Sequence, residues 1–380
     1  MKTSHRCWAE IDLDALRSNL SWIRHRVGPQ VKILTVVKAD AYGHGLKQIA
    51  ALLMQSGTDI FGVANLAEAR AIRSVGKGWP ILMLGACLPD EIESAVRDEV
   101  RPTLSSLAEA GLFSTAAVRL RRTVPVHVKV DTGMGRLGVA PEKAPALLRG
   151  VSKLPGLRLE GLYTHYASAE DDTRFSREQA RRFQQLIAEL ATRGIHVPMI
   201  HVNNSAALLH EPETTFNVVR PGLLVYGILP QGRRKDMSTL QKYFQPALSW
   251  KCRVSLVKEI ARGTSLSYGR SFVAPRTMSV ATITAGYGDG YLRAASNRAE
   301  VLIQGRRCRV VGRITMDQML VDVSRVKKVS PGDEAVLIGR EGKETISATE
   351  LADWCGTIPW ETLTAITHRV PRLYRGSQAS

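Results

Sequence analysis

From its start to about residue 230, the chain alternates short apolar, β-branched runs with helix-period stretches, eight times over. The runs fall at 32–37, 60–64, 81–84, 101–104, 126–130, 159–164, 199–202 and 217–219. Strands separated by helices must pair in parallel, because each helix carries the chain back to the same end of the sheet. Eight such units in one run predict a (β/α)8 TIM-like barrel rather than an open doubly wound sheet, and no GxGxxG opens a helix after the first strand.

Helix signals between the runs support this reading. Leu46, Ile49, Ala50 and Leu53 form one stripe. Asn65 with Glu68, and Asp90 with Glu93, have the spacing of helix starts. The clearest helix is expected to open at Ser176, with Gln179 three residues on. It presents Ala180, Phe183, Leu186, Ile187 and Leu190 on one face and stops at Gly194.

The texture changes after Gly232. Leu248, Trp250, Cys252, Val254 and Leu256 alternate with polar residues, the period of a half-buried strand. Turn residues at Gln304-Gly305 and Pro331-Gly332-Asp333 separate further β-rich runs, and short helices are expected at 348–355 and 359–366. The chain is therefore divided into a barrel domain, 1–235, and a mostly β C-terminal domain, 236–380, with the junction at 231–237. A length of 380 residues suits two domains.

Composition narrows the class. No apolar run is long enough for a membrane span, and the N-terminus meets Glu10 without a signal-peptide apolar segment, so a cytoplasmic protein is expected. Five scattered cysteines (Cys7, Cys87, Cys252, Cys308, Cys355) have neither metal-site nor disulfide-framework spacing. The net charge of +17 favours capture of anionic substrates. The basic clusters Arg119/Arg121/Arg122, Arg233/Arg234/Lys235 and Arg306/Arg307/Arg309 sit in no nucleic-acid-binding frame, so solvated surface explains them better than a nucleic-acid partner.

Functional groups of a barrel collect at the C-terminal ends of its strands. The first strand ends at Lys38, followed by Tyr42 in a glycine-punctuated turn. A lysine held there can be kept dry and its pKa lowered, which suits Schiff-base chemistry, although a solvated lysine closing a strand has the same local sequence. Lys129 shares a strand face with Asp131. The fifth strand leads into DTGMGRLG, which carries Arg136. His165 ends the sixth, Asn204 and Ser205 follow the seventh, and Arg220 and Gly222 follow the eighth. The last two ends are where barrels commonly bind phosphate. Taken singly, Asn204 and Ser205 read as ordinary helix caps and His165 as a core histidine. A lysine, an aromatic, a phosphate cradle and an arginine at one rim are harder to explain as packing.

Taken together, VVKADAYGHG, KVDTGMGRLG, HVNNSA, VVRPG, SYG at 267–269, AGYGDGY at 285–291 and GRITMDQ at 312–318 resemble the pyridoxal-phosphate-dependent alanine racemases, in order and over nearly the whole chain. The resemblance implies an isomerase that interconverts L- and D-alanine by a two-base mechanism, supplying D-alanine for the bacterial cell wall. It implies a homodimer with shared active sites. Lys38 would hold pyridoxal 5'-phosphate and act as base on one face of Cα, with Tyr268 of the other subunit serving the opposite face. Tyr42, Asn204, Ser205, Gly222, Leu223 and Tyr374 would bind the cofactor's phosphate end, and His165 would stack near its ring. Arg220, buttressed by His201, would face the pyridine nitrogen. Arg136 and the backbone N–H of Met316 would contact the substrate carboxylate. Lys129 corresponds to a lysine that is carbamylated in many relatives, while Thr315 and Gly288 stand where relatives vary. Serine or broad-specificity racemisation and a non-catalytic pyridoxal phosphate carrier are the alternatives.

Overall fold

The computed structural model describes residues 5–210, 216–230 and 240–376; the expected junction at 231–237 lies outside the described residues. The Cα atoms form two compact units. One comprises Leu16–Ala41 and Leu46–Gln245; the other takes in the first strand, Tyr42–Gly45 and the chain from Pro246 onward.

Strand β1 (Cys7–Asp12) belongs to the second unit, and the first unit holds the next eight. These are β2 (Lys32–Val36), β3 (Ile60–Val63), β4 (Ile81–Met83), β5 (Thr103–Leu104), β6 (Val124–Lys129), β7 (Leu157–Tyr163), β8 (Met199–His201) and β9 (Val218–Val219). Every neighbouring pair is parallel and follows chain order. Pairing of Lys32 with Val218 joins β2 to β9, and the bridge of Leu82 to Arg101 spans the gap between β4 and β5. The sheet thus curls into a nearly closed eight-stranded barrel, and each expected strand position is occupied. Val, Ile and Leu dominate these strands because both faces are covered, as in parallel sheets generally.

The helices follow the sequence signals with two corrections. Helix Leu46–Met54 buries Leu46, Ile49, Ala50 and Leu53, and Asn65 caps helix Leu66–Arg73 by accepting the Glu68 N–H at 3.0 Å. Asp90 caps nothing; it lies inside a 3-10 turn, Pro89–Glu91, and the Glu91 carboxylate accepts the Leu88 N–H instead. Ser176 is not a helix start either. Helix Thr173–Thr192 begins three residues earlier, where Asp172 accepts the Phe175 N–H at 2.9 Å, and the buried Ser176 hydroxyl donates to Ser168 O. A carboxylate competes well for the exposed N–H groups of a first turn, since it adds charge to the hydrogen bond.

In the second unit, β10 (Leu248–Ile260) pairs antiparallel with β1, with Met278–Ile283 and with Glu334–Glu341. Leu248, Trp250, Cys252 and Val254 are buried, but Leu256 is 49% exposed. The ladder shifts register between Val254 and Leu256, and such an irregularity turns the following side chains to the other face. Gln304 and Gly305 form a two-residue hairpin turn with positive φ at both positions. Helices Ala348–Cys355 and Pro359–Thr364 lie where expected, the second two residues shorter. Strand Arg372–Arg375 runs parallel to β1, outside it. All five cysteines are unpaired.

Candidate active site

Beyond β2, Lys38 is half-buried, and the four residues after it (Ala39, Asp40, Ala41 and Tyr42) all have φ of +53°. Four successive non-glycine residues in the left-handed region cost about 1–2 kcal/mol each, so contacts from outside must impose the turn. Ala41 N–H bonds Val37 O at 2.9 Å, Leu46 N–H bonds the Asp40 carboxylate at 2.7 Å, and Ala39 N–H bonds the Glu68 carboxylate at 2.7 Å. Burial lowers the pKa of the Lys38 amine, the Arg136 charge lowers it further, and Glu68 opposes both.

Cations converge on the same rim. The Lys129 amine is buried and pushed down to about 8 by burial, then by Arg136 and Arg220, against Asp131. Arg136 itself is exposed, on a loop folded around Asp131, whose carboxylate accepts the N–H groups of Gly133, Met134 and Gly135 at 2.8–3.1 Å. Gly138 is required at the loop's return, because a Cβ there would lie 2.8 Å from Asp131 N and its φ is +117°.

Arg220 is buried and makes four contacts, to Thr164 O (2.9 Å), Val202 O (2.9 Å), His165 Nδ1 (3.0 Å) and His201 Nδ1 (2.9 Å). Burial brings its pKa down to about 10, so it stays protonated near neutrality. A guanidinium only donates, so His201, alone on Nη1, must accept through Nδ1 and carry its proton on Nε2, whereas Thr164 O, Val202 O and His165 Nδ1 share the two hydrogens of Nη2. His201 Nε2 therefore donates to His127 Nδ1 at 3.0 Å, and His127 Nε2 donates to Glu160 at 3.2 Å. Burial would raise the Glu160 pKa, but His127 and Arg101 hold it far below the usual carboxylate range. Burial also keeps His165 and His201 neutral. Tyr163 stacks on His201 at 4.6 Å and donates its hydroxyl to Thr103, whose own proton goes to Met83 O. Sequence reasoning reached Arg220 and His201 but missed His127, Glu160 and Tyr163. The available signal was the alternation of His127 and Lys129 on one face of an otherwise apolar strand.

At the ends of β8 and β9, Asn204 Oδ1 accepts the Ala207 N–H at 3.0 Å, the ordinary capping role. Ser205 Oγ accepts the Gly222 N–H at 2.9 Å, which leaves the hydroxyl proton to donate elsewhere. Leu223, next in the same turn, is buried.

The other unit carries Tyr42, Tyr374, Tyr268 and Met316. Tyr42 is buried, and the Tyr374 hydroxyl donates to His44 O at 3.0 Å. Arg372 donates to Gly43 O, which ties residues 42–45 to the last strand. Gly43 has no room for a side chain: a Cβ would lie 2.3 Å from Leu363 O. Tyr268 is 70% exposed and Met316 52% exposed. Met316 O accepts the Gly288 N–H at 2.8 Å and Thr315 O accepts that of Tyr287, so the 286–288 and 315–316 segments hold each other in place.

The donor set fits pyridoxal phosphate. An amine with a lowered pKa can condense with an aldehyde, and a serine hydroxyl beside the 222–224 turn can donate to a phosphate. A guanidinium bound to neutral imidazoles and carbonyls, with no carboxylate among those contacts, can donate to a pyridine nitrogen without protonating it.

The chain is similar to known proteins over nearly its whole length. The sequence profile described as alanine racemase, N-terminal domain, matches residues 11–230, and that described as alanine racemase, C-terminal domain, matches residues 247–374. Among curated relatives, an alanine racemase of Carboxydothermus hydrogenoformans is 41% identical over 97% of this chain and 99% of its own length. One from Geobacter sulfurreducens is 42% identical over 96% of each. The solved structure of a Clostridium difficile 630 alanine racemase matches with a TM-score of 0.92 at 35% identity, covering 98% of this chain and 97% of that one. An alanine racemase of Bartonella henselae with covalently bound pyridoxal phosphate matches with a TM-score of 0.87 at 27% identity, covering 98% and 100%. Domain profiles, full-length relatives and solved structures thus agree on one assignment: this chain belongs to the alanine racemase family, whose members are isomerases.

Proposed function

We propose that this chain interconverts L- and D-alanine with pyridoxal 5'-phosphate held at Lys38, supplying D-alanine to the bacterial cell wall from the cytoplasm. One observation carries the reading. The Lys38 amine, its pKa lowered by burial and by Arg136, shares a rim with a guanidinium tied to neutral imidazoles.

The cofactor, when bound, supplies an aldehyde that condenses with amines and a ring that acidifies the bond from Cα to hydrogen. The chain's own groups do the rest. Inverting a carbon needs one proton removed from one face and another delivered to the opposite face. Lys38 Nζ serves one face, and its lowered pKa raises the fraction of free amine near neutral pH. Tyr268 Oη, reaching the site from the partner subunit of a homodimer, serves the other. Arg220 would donate to the pyridine nitrogen of the bound cofactor without acting as an acid there, which would favour simple reprotonation at Cα. Ser205, Gly222 and Leu223 would hold the phosphate, as would Tyr42 and Tyr374 on this reading, while Asn204 caps the turn that carries Ser205 and His165 would pack beside the ring. Arg136 and Met316 N–H receive the substrate carboxylate. Lys129, with a pKa of about 8, has enough neutral amine to take up carbon dioxide as a carbamate, which would orient Arg136. A carbonyl resonance on Lys129 from 13C-labelled bicarbonate tests this step, and an unmodified amine refutes it. Residues 1–235 and 236–380 are the two domains of this reading. No helix among the described residues is long and apolar enough to cross a membrane.

The test is a spectrum with an exchange assay. Cofactor-loaded protein should absorb in the visible and lose that colour on borohydride treatment, with label at Lys38. It should also exchange the Cα proton of both alanine enantiomers in heavy water. Colour without exchange would leave a carrier, and label elsewhere would remove Lys38 from its role.

A further inference from the structure

We infer that Glu68 is a positioning residue for Lys38, its carboxylate fixing the peptide that opens the left-handed turn. The inference rests on the proposed role of Lys38 and adds a residue outside the set that would touch cofactor or substrate.

Glu68 is the third residue of helix Leu66–Arg73, behind the Asn65 cap. A glutamate there ordinarily folds back onto the N–H of the cap residue. Here one carboxylate oxygen accepts the Ala64 N–H at 2.7 Å, and the other reaches across to the Ala39 N–H, also at 2.7 Å. Ala64 follows the last residue of β3 and Ala39 follows Lys38, so a single anion ties the ends of two adjacent barrel strands. Two charge-assisted hydrogen bonds to one ion are strong and directional. They act at the place of greatest need, because Ala39 is the first of four residues whose side chains oppose their own backbone conformation. Asp40 closes the far end of the turn through the Leu46 N–H. With both ends pinned, the Cα–Cβ bond of Lys38 has one direction, which narrows where its amine can reach. The same carboxylate is the negative charge that offsets Arg136 in the surroundings of that amine.

Glu68→Gln keeps the size but offers one acceptor oxygen, and its NH2 group would meet an N–H head-on. Amide hydrogen exchange on the full-length, cofactor-free protein should show about a ten- to hundredfold loss of protection at Ala39, equivalent to one charge-assisted hydrogen bond. Protection at the Ala69 amide, deeper in the same helix, should be retained. In the same protein, the pH at which Lys38 is half-labelled by reductive methylation should fall, because the offsetting anion is gone. In the loaded enzyme, kcat should drop with little change in KM. Should the glutamine variant not fold, Glu68→Asp, a carboxylate one methylene too short to span both amides, serves the same comparison. Unchanged Ala39 protection together with an unchanged Lys38 titration overturns the inference. Borohydride labelling of Lys38 in the wild-type protein tests the functional reading separately, so either can fail without the other.

Discussion

Arg220 has no lone pair to offer, and this dictates the protonation of a row of neighbours. His165 and His201 become acceptors toward it, His127 becomes the acceptor of His201, and Glu160, held ionised, accepts the last hydrogen bond. Tyr268 differs in being exposed. Tyr268→Phe should lower kcat by about 10²–10⁴ while leaving cofactor colour intact, since it removes a proton carrier and no anchor; stopped-flow spectra and racemisation rates check both halves. Lys129 bears on stability. Its folded pKa of about 8 lies below the ordinary lysine value, so below pH 8 both folded and unfolded chains are charged and the burial penalty is fully present. Between about pH 8 and 10.5 the unfolded chain holds the extra proton and stability rises with pH. In carbon-dioxide-free buffer, denaturant midpoints of the unliganded protein should therefore climb from pH 7.5 to 9.5, and Lys129→Met should flatten that climb.

Individual elements were legible in the sequence wherever their cause is local. All eight barrel strands stand out because apolar runs bounded by polar helices have a short-range signature, and Asn65 caps as its spacing demands. Asp90, Ser176 and Leu256 went astray where a neighbouring carboxylate or a register shift decided the outcome. The row of imidazoles was legible as far as His201 and no further, since His127 meets partners 33 and 74 residues away. Gly161 records that meeting: a Cβ there would lie 2.1 Å from His127 Nδ1. Gly161→Ala should cost about 1–3 kcal/mol of stability, as overpacking does, and perturb the imidazole 15N shifts of His127 and His201. The left-handed turn was equally hidden, because in Ala-Asp-Ala-Tyr only Asp40 is of a type that visits that region with any ease. Ala39→Gly should therefore stabilise by about 1 kcal/mol, the opposite of its usual effect, as calorimetry would show.

At the scale of the whole molecule, the formal net charge of +17 would suit the proposed capture of a carboxylate substrate, and the exposed Tyr268 would suit the proposed completion of the site by a second copy. Specific activity should fall as the protein is diluted through its dissociation constant, in step with the dimer fraction measured by sedimentation. Activity that persists in a demonstrated monomer would discard the shared site. The β-rich unit has a further property. Its sheet places β1 between β10 and the strand Arg372–Arg375, so the earliest and latest parts of the sequence are next-door neighbours. During translation β1 lacks its antiparallel mate until residues 248–260 have been made, and its outer neighbour until 372–375 follow. Chains that end just before residue 248 should accordingly resist protease across the barrel yet be clipped near β1, a mark that should fade once 248–260 are included.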